Sequence, residues 1–352
     1  MKIRGLVLLV ILPLLIAVAV IYRILTGDGK DYYDKSGKYL PISKNNTFGY
    51  IEKHPAFKEF SKFIQPWKDT KNRIVTPYLP LSVVCAANHV DADSITEGFN
   101  FIIQQSREQD IFFDIYTAEE KKEDPSKENT GLYFIPGDPD KPFVLLVSGG
   151  AFQSVCNFLE AFPVSQLMHE AGCNVFILQY RVDPEKSMVL DEVEPRQKAA
   201  NSDFGKAMKY IFEHADEFGV TTDNYAVCGF SAGGRLCHMW GLDNEYGYEH
   251  YGIPKPAVSM LIYSGWDDPV FEGCYETQPP TYFAHVENDT TIGADLSEKI
   301  EVYADRLRTL HIPVEEHIYT AAVHGFGAGT GTDAEDWVED AIAFWGAHMH
   351  MQ

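Results

Sequence analysis

The amino-acid sequence predicts an α/β fold in which a mostly parallel central sheet carries helices on both faces. Short apolar runs recur along 111–319, and segments with the helical spacing of apolar residues lie between most of them. A content of 45% hydrophobic and 13% aromatic residues indicates a well-filled core. Apolar strands that alternate with helices are typical of a parallel sheet buried between two helical layers. The predicted strands are 111–116, 131–135, 143–147, 174–178, 225–228, 258–263, 281–285 and 314–319.

Helical patterns and composition divide the chain into a main domain and an N-terminal extension. We assign 109–352 to the main domain. Residues 27–108 are predicted to form a polar linker and then a mainly helical extension, whose aromatic side chains need burial against the main domain. The predicted helices of the main domain are 158–171, 197–218, 296–310 and 334–348.

The first 26 residues have the composition of a membrane-targeting segment. Lys2 and Arg4 precede eighteen uncharged residues, 5–22, a length near the lower limit for crossing the hydrocarbon core. The sequence therefore predicts a single-pass anchor over 1–26, a location at the cell membrane and a main domain outside the cytoplasm. A signal peptide cleaved after the small residues 17–19, which would give a secreted protein, is the alternative.

Charge and cysteine spacing exclude several classes of function. The formal net charge of −22 argues against a nucleic-acid partner, because phosphates would be repelled. The six cysteines fit no metal-ligand spacing. Cys228 lies in a predicted buried strand and Cys173 directly before another, where a thiol packs as a small apolar group. We predict no metal site and no catalytic cysteine.

The most informative motif is Gly-Phe-Ser-Ala-Gly-Gly at 229–234, which follows a predicted strand and precedes a segment suited to a helix. A serine on a sharp strand-to-helix turn has a strained backbone and a projecting hydroxyl, and small flanking residues let strand and helix approach closely. The start of the helix also offers free N–H groups to a developing oxyanion. We therefore predict that Ser231 is the nucleophile of an acyl-transfer reaction.

Further candidate residues follow other strands, since the active site of a parallel sheet lies at the carboxyl ends of its strands. A glycine pair, Gly149 and Gly150, follows 143–147 and allows backbone N–H groups to turn toward a substrate oxygen. Asp289 follows 281–285 in a carboxylate-bearing turn.

A histidine is the third candidate catalytic residue, beside Ser231 and Asp289. His324 follows 314–319 in a loop of small residues. The order Ser231, Asp289, His324 is the one expected when His324 takes the proton from the serine and Asp289 steadies the imidazolium. Asp267 and Asp268, which follow an earlier strand, are the alternative acids.

These motifs carry a resemblance to a known family. From about residue 111 to its end, the chain resembles the bacterial acetyl esterase/lipase branch of the α/β-hydrolases, which is related to hormone-sensitive lipases and small xylan-associated esterases. The resemblance implies the α/β-hydrolase fold and a serine carboxylesterase without a cofactor. The matching segments are 145–152, 179–182, 229–234, 279–281, 288–289 and 324–327.

The resemblance also implies an oxyanion hole. Its N–H donors would be Gly150 or Ala151 and, on the helix after the serine, Ala232, and we include Gly149 in the candidate set. The usual His-Gly-Gly-Gly stretch of the family is Ser-Gly-Gly-Ala at 148–151. This departure keeps the backbone donors but bears on the shape of the pocket and on the acyl preference.

The predicted function is hydrolysis of short-chain acyl esters on small molecules or carbohydrates, with acetyl esters as the main expected substrates. A peptidase of the prolyl-oligopeptidase type shares the serine turn and the residue order, but 26–110 is too short for its propeller domain. The second alternative is a catalytically silent surface protein that uses the fold for binding. The presence of all three residues argues against it, since stability alone does not require them.

Overall fold

The predicted α/β architecture is present in the computed structural model, which describes residues 18, 21–23, 25–29, 31–66, 77–183, 194–265, 275–293 and 295–349. The described strands are β1 Phe112–Phe113, β2 Gly131–Ile135, β3 Lys141–Val147, β4 Asn174–Gln179, β5 Val220–Phe230, β6 Val258–Ile262, β7 Thr281–Val286 and β8 Val314–Tyr319. They form one sheet in the order β1-β2-β4-β3-β5-β6-β7-β8. β2 runs antiparallel to β1 and β4, and the other neighbouring pairs are parallel.

The α-helices lie on both faces of this sheet. The helices Ala161–Glu170 and Trp337–His348 share an apolar cluster on one face, and the helices Glu194–Glu213, Ala232–Trp240 and Leu296–Thr309 share a cluster on the other face. Three short 3-10 helices are Pro55–Phe57, Ser61–Phe63 and Pro125–Asn129. The α-helices are α1 Phe48–Glu52, α2 Leu81–Ala87, α3 Ala92–Glu108, α4 Ala118–Glu123, α5 Ala161–Glu170, α6 Glu194–Glu213, α7 Ala215–Phe218, α8 Ala232–Trp240, α9 Tyr248–Tyr251, α10 Leu296–Thr309 and α11 Trp337–His348.

Several element boundaries differ from the sequence prediction. β1, predicted over 111–116, covers only Phe112–Phe113. β5 begins at Val220 and not at Tyr225, because residues 221–224 are polar and only partly buried, so apolar patterning does not mark them. In the N-terminal extension, which the sequence predicts to be mainly helical, Pro55–Phe57 and Ser61–Phe63 form 3-10 helices and not a longer α-helix. Pro55 begins the first of these helices and has no N–H to donate to a longer one.

The N-terminal extension packs on the main domain through aromatic side chains. The ring of Phe48 lies 4.9 Å from that of Phe158, measured between centroids. The ring of Phe99, on α3, lies 5.7 Å from Phe158 and 5.9 Å from Phe162. Helices α3 and α5 approach closely at Gly98, where a Cβ would lie 2.8 Å from the backbone nitrogen of Pro163. The extension therefore supports the segment that leads into α5.

The structure corrects the predicted membrane anchor. Among the described residues, no helix has the length and apolar character needed to cross a bilayer. The single-pass anchor over 1–26 and the location at the cell membrane are therefore not supported, and most of that range lies outside the described residues. Where its end is described, Tyr22 donates a hydrogen bond to the carbonyl of Tyr78, and the carbonyl of the buried Thr26 accepts one from Asn46. These contacts place the end of the segment against the protein.

Candidate active site

Ser231 lies on the turn between β5 and α8, at the carboxyl end of the sheet. Its backbone has φ 49° and ψ −116°, a conformation that costs a non-glycine residue about 1–3 kcal/mol. Two glycines make the turn possible. A Cβ on Gly233 would overlap the carbonyl oxygen of Val147 in β3, and one on Gly229 would overlap the carbonyl oxygen of Gly233. Glycine at both positions therefore lets the helix start directly against the sheet with the serine exposed at the turn.

Ser231, His324 and Asp289 form a chain of hydrogen bonds at this edge. Nε2 of His324 lies 3.0 Å from Oγ of Ser231, and Nδ1 of His324 lies 2.6 Å from Oδ2 of Asp289. These distances fit a serine hydroxyl that donates to Nε2 and an Nδ1–H that donates to the carboxylate. Residues that follow three different strands thus meet in the predicted order.

The surroundings of Asp289 favour its ionised form. Its side chain is buried, and its Oδ1 accepts hydrogen bonds from the N–H groups of Thr291 and Ile292 at 2.9 Å and 3.0 Å. Burial by itself would raise the pKa of this carboxyl, but the contact with His324 and the two N–H groups outweigh burial and lower the pKa. The acid is therefore a fixed negative charge that can orient the imidazole.

A second carboxylate shapes the loop that carries His324. Asp333 accepts hydrogen bonds from the N–H groups of Thr320, Ala321 and Ala322, at 2.7–2.9 Å. These three residues connect β8 to the histidine loop. The segment that leads to His324 is therefore fixed by Asp333, although it has no regular secondary structure.

The loop after β3 lies directly beside the nucleophile. A Cβ on Gly149 would lie 2.7 Å from Cβ of Ser231. The next residues have left-handed backbones, with φ 128° at Gly150 and 55° at Ala151. Within the described residues, the N–H groups of Gly150, Ala151 and Ala232 have no hydrogen-bond partner. They remain free to bind the oxygen of a substrate.

Comparisons with known proteins show which proteins this chain resembles. Residues 133–252 match the BD-FAE family model. An acetylxylan esterase from Xylanibacter ruminicola is 21% identical over 242 residues, which cover 60% of this chain and 46% of that protein. This chain thus spans less than half the length of that relative.

Solved structures share the fold. An α/β hydrolase from a Medee basin deep-sea metagenome library superposes with a TM-score of 0.52 at 20% identity, over 69% of this chain and 98% of that one. The chain has the α/β-hydrolase fold. The acetyl ester-xyloside bifunctional hydrolase from Caldicellulosiruptor lactoaceticus gives a TM-score of 0.53 at 18% identity, over 67% of this chain and 95% of that one. The resemblance to the esterase branch, first indicated by the motifs, is confirmed.

One predicted oxyanion donor has a different partner. The N–H of Gly149 donates a hydrogen bond of 2.6 Å to Oε2 of Glu160 inside the protein. It is therefore not free to bind a substrate oxygen. We remove Gly149 from the candidate donors and retain Gly150, Ala151 and Ala232.

Sequence reasoning missed two polar residues of the hydrolase site. Glu160 is buried just before α5, and Tyr263, which follows β6, donates a hydrogen bond to it at 3.0 Å. The ring of Tyr263 lies against His324, with 5.0 Å between centroids. A signal for Glu160 was present, because it is the one charged residue in the apolar stretch 155–164. An acid in such a stretch indicates a buried group with a specific partner.

The part of the hydrolase that the structure describes shows no cluster of His, Cys, Asp or Glu side chains that could hold a metal ion. Five cysteines are free thiols, and Cys274 lies outside the described residues. The alternative acids Asp267 and Asp268 also lie outside them. The assignment of the acid therefore depends on the observed contact between His324 and Asp289.

We expect Asp289→Asn to lower kcat by up to about 10⁴-fold, and by less than removal of the serine hydroxyl. The introduced amide can still accept from Thr291 and Ile292, but its NH₂ group would face Nδ1 of His324 and favour the wrong tautomer. Steady-state kinetics with a chromogenic ester measures the effect. Asp267→Asn and Asp268→Asn are the matched controls. A large loss in either control, with none in Asp289→Asn, would move the acid to that residue.

Proposed function

We propose that this α/β-hydrolase is a serine carboxylesterase that hydrolyses short-chain acyl esters, acetyl esters first, on small molecules or carbohydrates. The observation that carries the proposal is the hydrogen-bonded chain from Ser231 through His324 to Asp289 beside a loop with free N–H groups. Nucleophile, base and orienting acid stand at hydrogen-bond distance in the order that acyl transfer needs.

In the first half of the reaction, Oγ of Ser231 attacks the acyl carbon of the ester. The serine proton passes to Nε2 of His324, and Asp289 stabilises the resulting imidazolium through Nδ1–H. The carbonyl oxygen becomes an oxyanion that accepts from N–H groups of Gly150 or Ala151 and of Ala232. The C–O bond to the alcohol then breaks, His324 protonates the leaving oxygen, and an acyl-serine remains.

In the second half, water takes the place of the alcohol. His324 accepts a proton from the water, whose oxygen attacks the acyl carbon. The same N–H groups stabilise the second oxyanion. The bond to Oγ of Ser231 breaks, the proton on Nε2 returns to Oγ, and the carboxylic acid leaves. The free enzyme is restored, and every step uses groups of the chain, the ester and water.

The relatives support the substrate class. The curated relative is named an acetylxylan esterase, and one similar solved structure is titled an acetyl ester-xyloside bifunctional hydrolase. Both names contain an acetyl ester and a sugar. We therefore propose acetyl groups on carbohydrates as the first substrate class to examine.

The test is a substrate panel on the purified chain. We expect hydrolysis of p-nitrophenyl acetate and butyrate, a lower kcat/KM for longer acyl chains, and release of acetate from acetylated xylan. Aminoacyl anilides distinguish an esterase from a peptidase. Cleavage of the anilides with no ester hydrolysis would support the peptidase alternative. A lack of turnover on every substrate would overturn the proposal in favour of a binding protein.

A further inference from the structure

Glu160 occupies an unusual position beneath the candidate active site. Its side chain is 5% exposed. Oε2 accepts the hydrogen bond from the N–H of Gly149 at 2.6 Å, and Oε1 accepts from the hydroxyl of Tyr263 at 3.0 Å. One carboxylate therefore binds both the loop after β3, residues 148–152, which we call the oxyanion loop, and the residue that follows β6.

Tyr263 extends this contact to the histidine loop. Its hydroxyl accepts a hydrogen bond from the N–H of Gly327 at 3.2 Å while it donates to Glu160. Its ring packs against the imidazole of His324 in a T-shaped contact, with 5.0 Å between centroids. The backbone of Gly327 also lies on the segment before Glu160, since a Cβ there would overlap the carbonyl of Leu159. Glu160 thus joins the two loops that flank Ser231.

The burial of this carboxylate is costly for the fold. Among the described residues, no lysine or arginine forms an ion pair with Glu160. Burial raises the pKa of Glu160 to about 7, although the hydrogen bonds from Gly149 and Tyr263 and the charge of His324 act in the opposite direction. The titratable groups that face it are Cys156 on its own segment, Tyr180 after β4, Cys228 in β5, Tyr263 after β6 and His324 after β8.

We propose that Glu160 is a positioning residue for the esterase reaction, an inference that rests on the proposed function. Its ionised carboxylate holds Gly149 so that the next N–H groups face the substrate oxygen. Through Tyr263 it also holds the imidazole of His324, and its negative charge favours the imidazolium that forms during acyl transfer. A neutral side chain of the same shape loses this charge and can accept only one of the two hydrogen bonds.

The central experiment is Glu160→Gln. We expect kcat to fall by up to about 100-fold, the loss that a misplacement of about 1 Å in a reacting group can cause, with little change in KM. We also expect the acid-side fall of kcat/KM to move to lower pH. In the wild type, protonation of Glu160 near pH 7 removes the carboxylate, whereas the variant has no such step.

Two further variants separate the effect of the hydrogen bond from Tyr263 from the effect of the charge on Glu160. Tyr263→Phe removes one hydrogen bond but keeps the ring beside His324 and the charge of Glu160. We expect a smaller loss of kcat and an acid limb that moves to higher pH, opposite to the shift in Glu160→Gln, because the lost hydrogen bond lowers the pKa of Glu160 in the wild type. Glu170→Gln makes the same chemical change at an exposed site at the end of α5, and we expect no effect on either measurement.

Thermal unfolding supplies a readout that does not require activity. Because the folded-state pKa of Glu160 is raised above its ordinary value, the folded wild type binds an extra proton as the pH falls through about 7. We expect the Tm of the wild type to rise relative to that of Glu160→Gln between pH 8 and pH 6. A constant Tm difference over this interval would show that Glu160 does not titrate as a buried group.

The outcomes separate this proposal from the proposed function. Unchanged kcat and pH profile in Glu160→Gln, with an active wild type, would overturn the positioning role alone. A wild type without ester hydrolysis would overturn the proposed function. In that case, the rate at which a fluorophosphonate labels Ser231 compares the same variants, and equal rates would overturn the positioning role as well.

Discussion

Ser231→Ala is expected to abolish ester hydrolysis, with a fall in kcat of about 10⁶-fold, while the protein remains folded. The substitution removes one oxygen, whose hydrogen bond is to Nε2 of His324. The residues that shape the turn, Gly229 and Gly233, are unchanged, and alanine meets the same backbone strain as serine at this φ. The loss should therefore be chemical and not structural.

The measurement is kcat with p-nitrophenyl acetate, together with the Tm of each protein. Ser165→Ala is a matched control, because this buried serine on α5 bonds to the carbonyl of Phe162, away from the reacting groups. We expect the control to keep wild-type kcat. If purified Ser231→Ala hydrolysed the ester at the wild-type rate, the nucleophile would have to be assigned to another residue.

The sheet could be predicted from the sequence because its strands are buried. β3 and β4 carry continuous apolar runs, which only a strand covered on both faces tolerates. The first half of β5 is different. Residues 221–224 are polar and partly exposed, and they are held in the strand partly through the pairing of Lys141 and Pro142 in β3 with residues 220 and 221. Backbone pairing between strands leaves no apolar pattern in the sequence. The predicted start of β5, residue 225, is therefore five residues after the observed start.

The candidate triad could be predicted because each member follows a strand in a recognisable turn. Ser231, Asp289 and His324 are far apart in the chain, and the parallel sheet brings their turns to one edge. The role of Gly149 could not be obtained in this way. The direction of its N–H depends on the conformation of the loop up to residue 152, where several successive residues have positive φ. Glycine spacing shows that such a loop can form but not which N–H faces inward.

The environment of Glu160 could not be predicted from helical patterning either. Within a predicted amphipathic helix, an acid is expected on the solvent face. The segment before α5 instead folds under the oxyanion loop, where Gly149 and Tyr263 supply partners for the carboxylate. The apolar stretch around Glu160 indicates burial, but only the three-dimensional contacts between distant segments identify the partners of the carboxylate. Those contacts are the basis of the positioning role proposed above.

His324→Ala is expected to lower kcat by about as much as Ser231→Ala, on the order of 10⁶-fold. Without the imidazole, the serine hydroxyl has no base at hydrogen-bond distance and stays a weak nucleophile. Tm should change little, because the ring is partly exposed and the loop is held independently by Asp333. His250→Ala, at an exposed histidine, is the control for loss of an imidazole.

The double variant Ser231→Ala/His324→Ala tests whether the two residues act as one unit. If His324 works only by activating Ser231, its removal from the serine-less protein costs nothing more, and the double variant should match the single variants. If the two residues contributed independently, the losses of kcat in the single variants would instead multiply in the double variant. A double variant slower than either single variant by several orders of magnitude would contradict the shared mechanism, and it would require His324 to act on the substrate by a route of its own. Residual activity common to all three variants would measure what the N–H groups of Gly150, Ala151 and Ala232 supply without the serine and the imidazole.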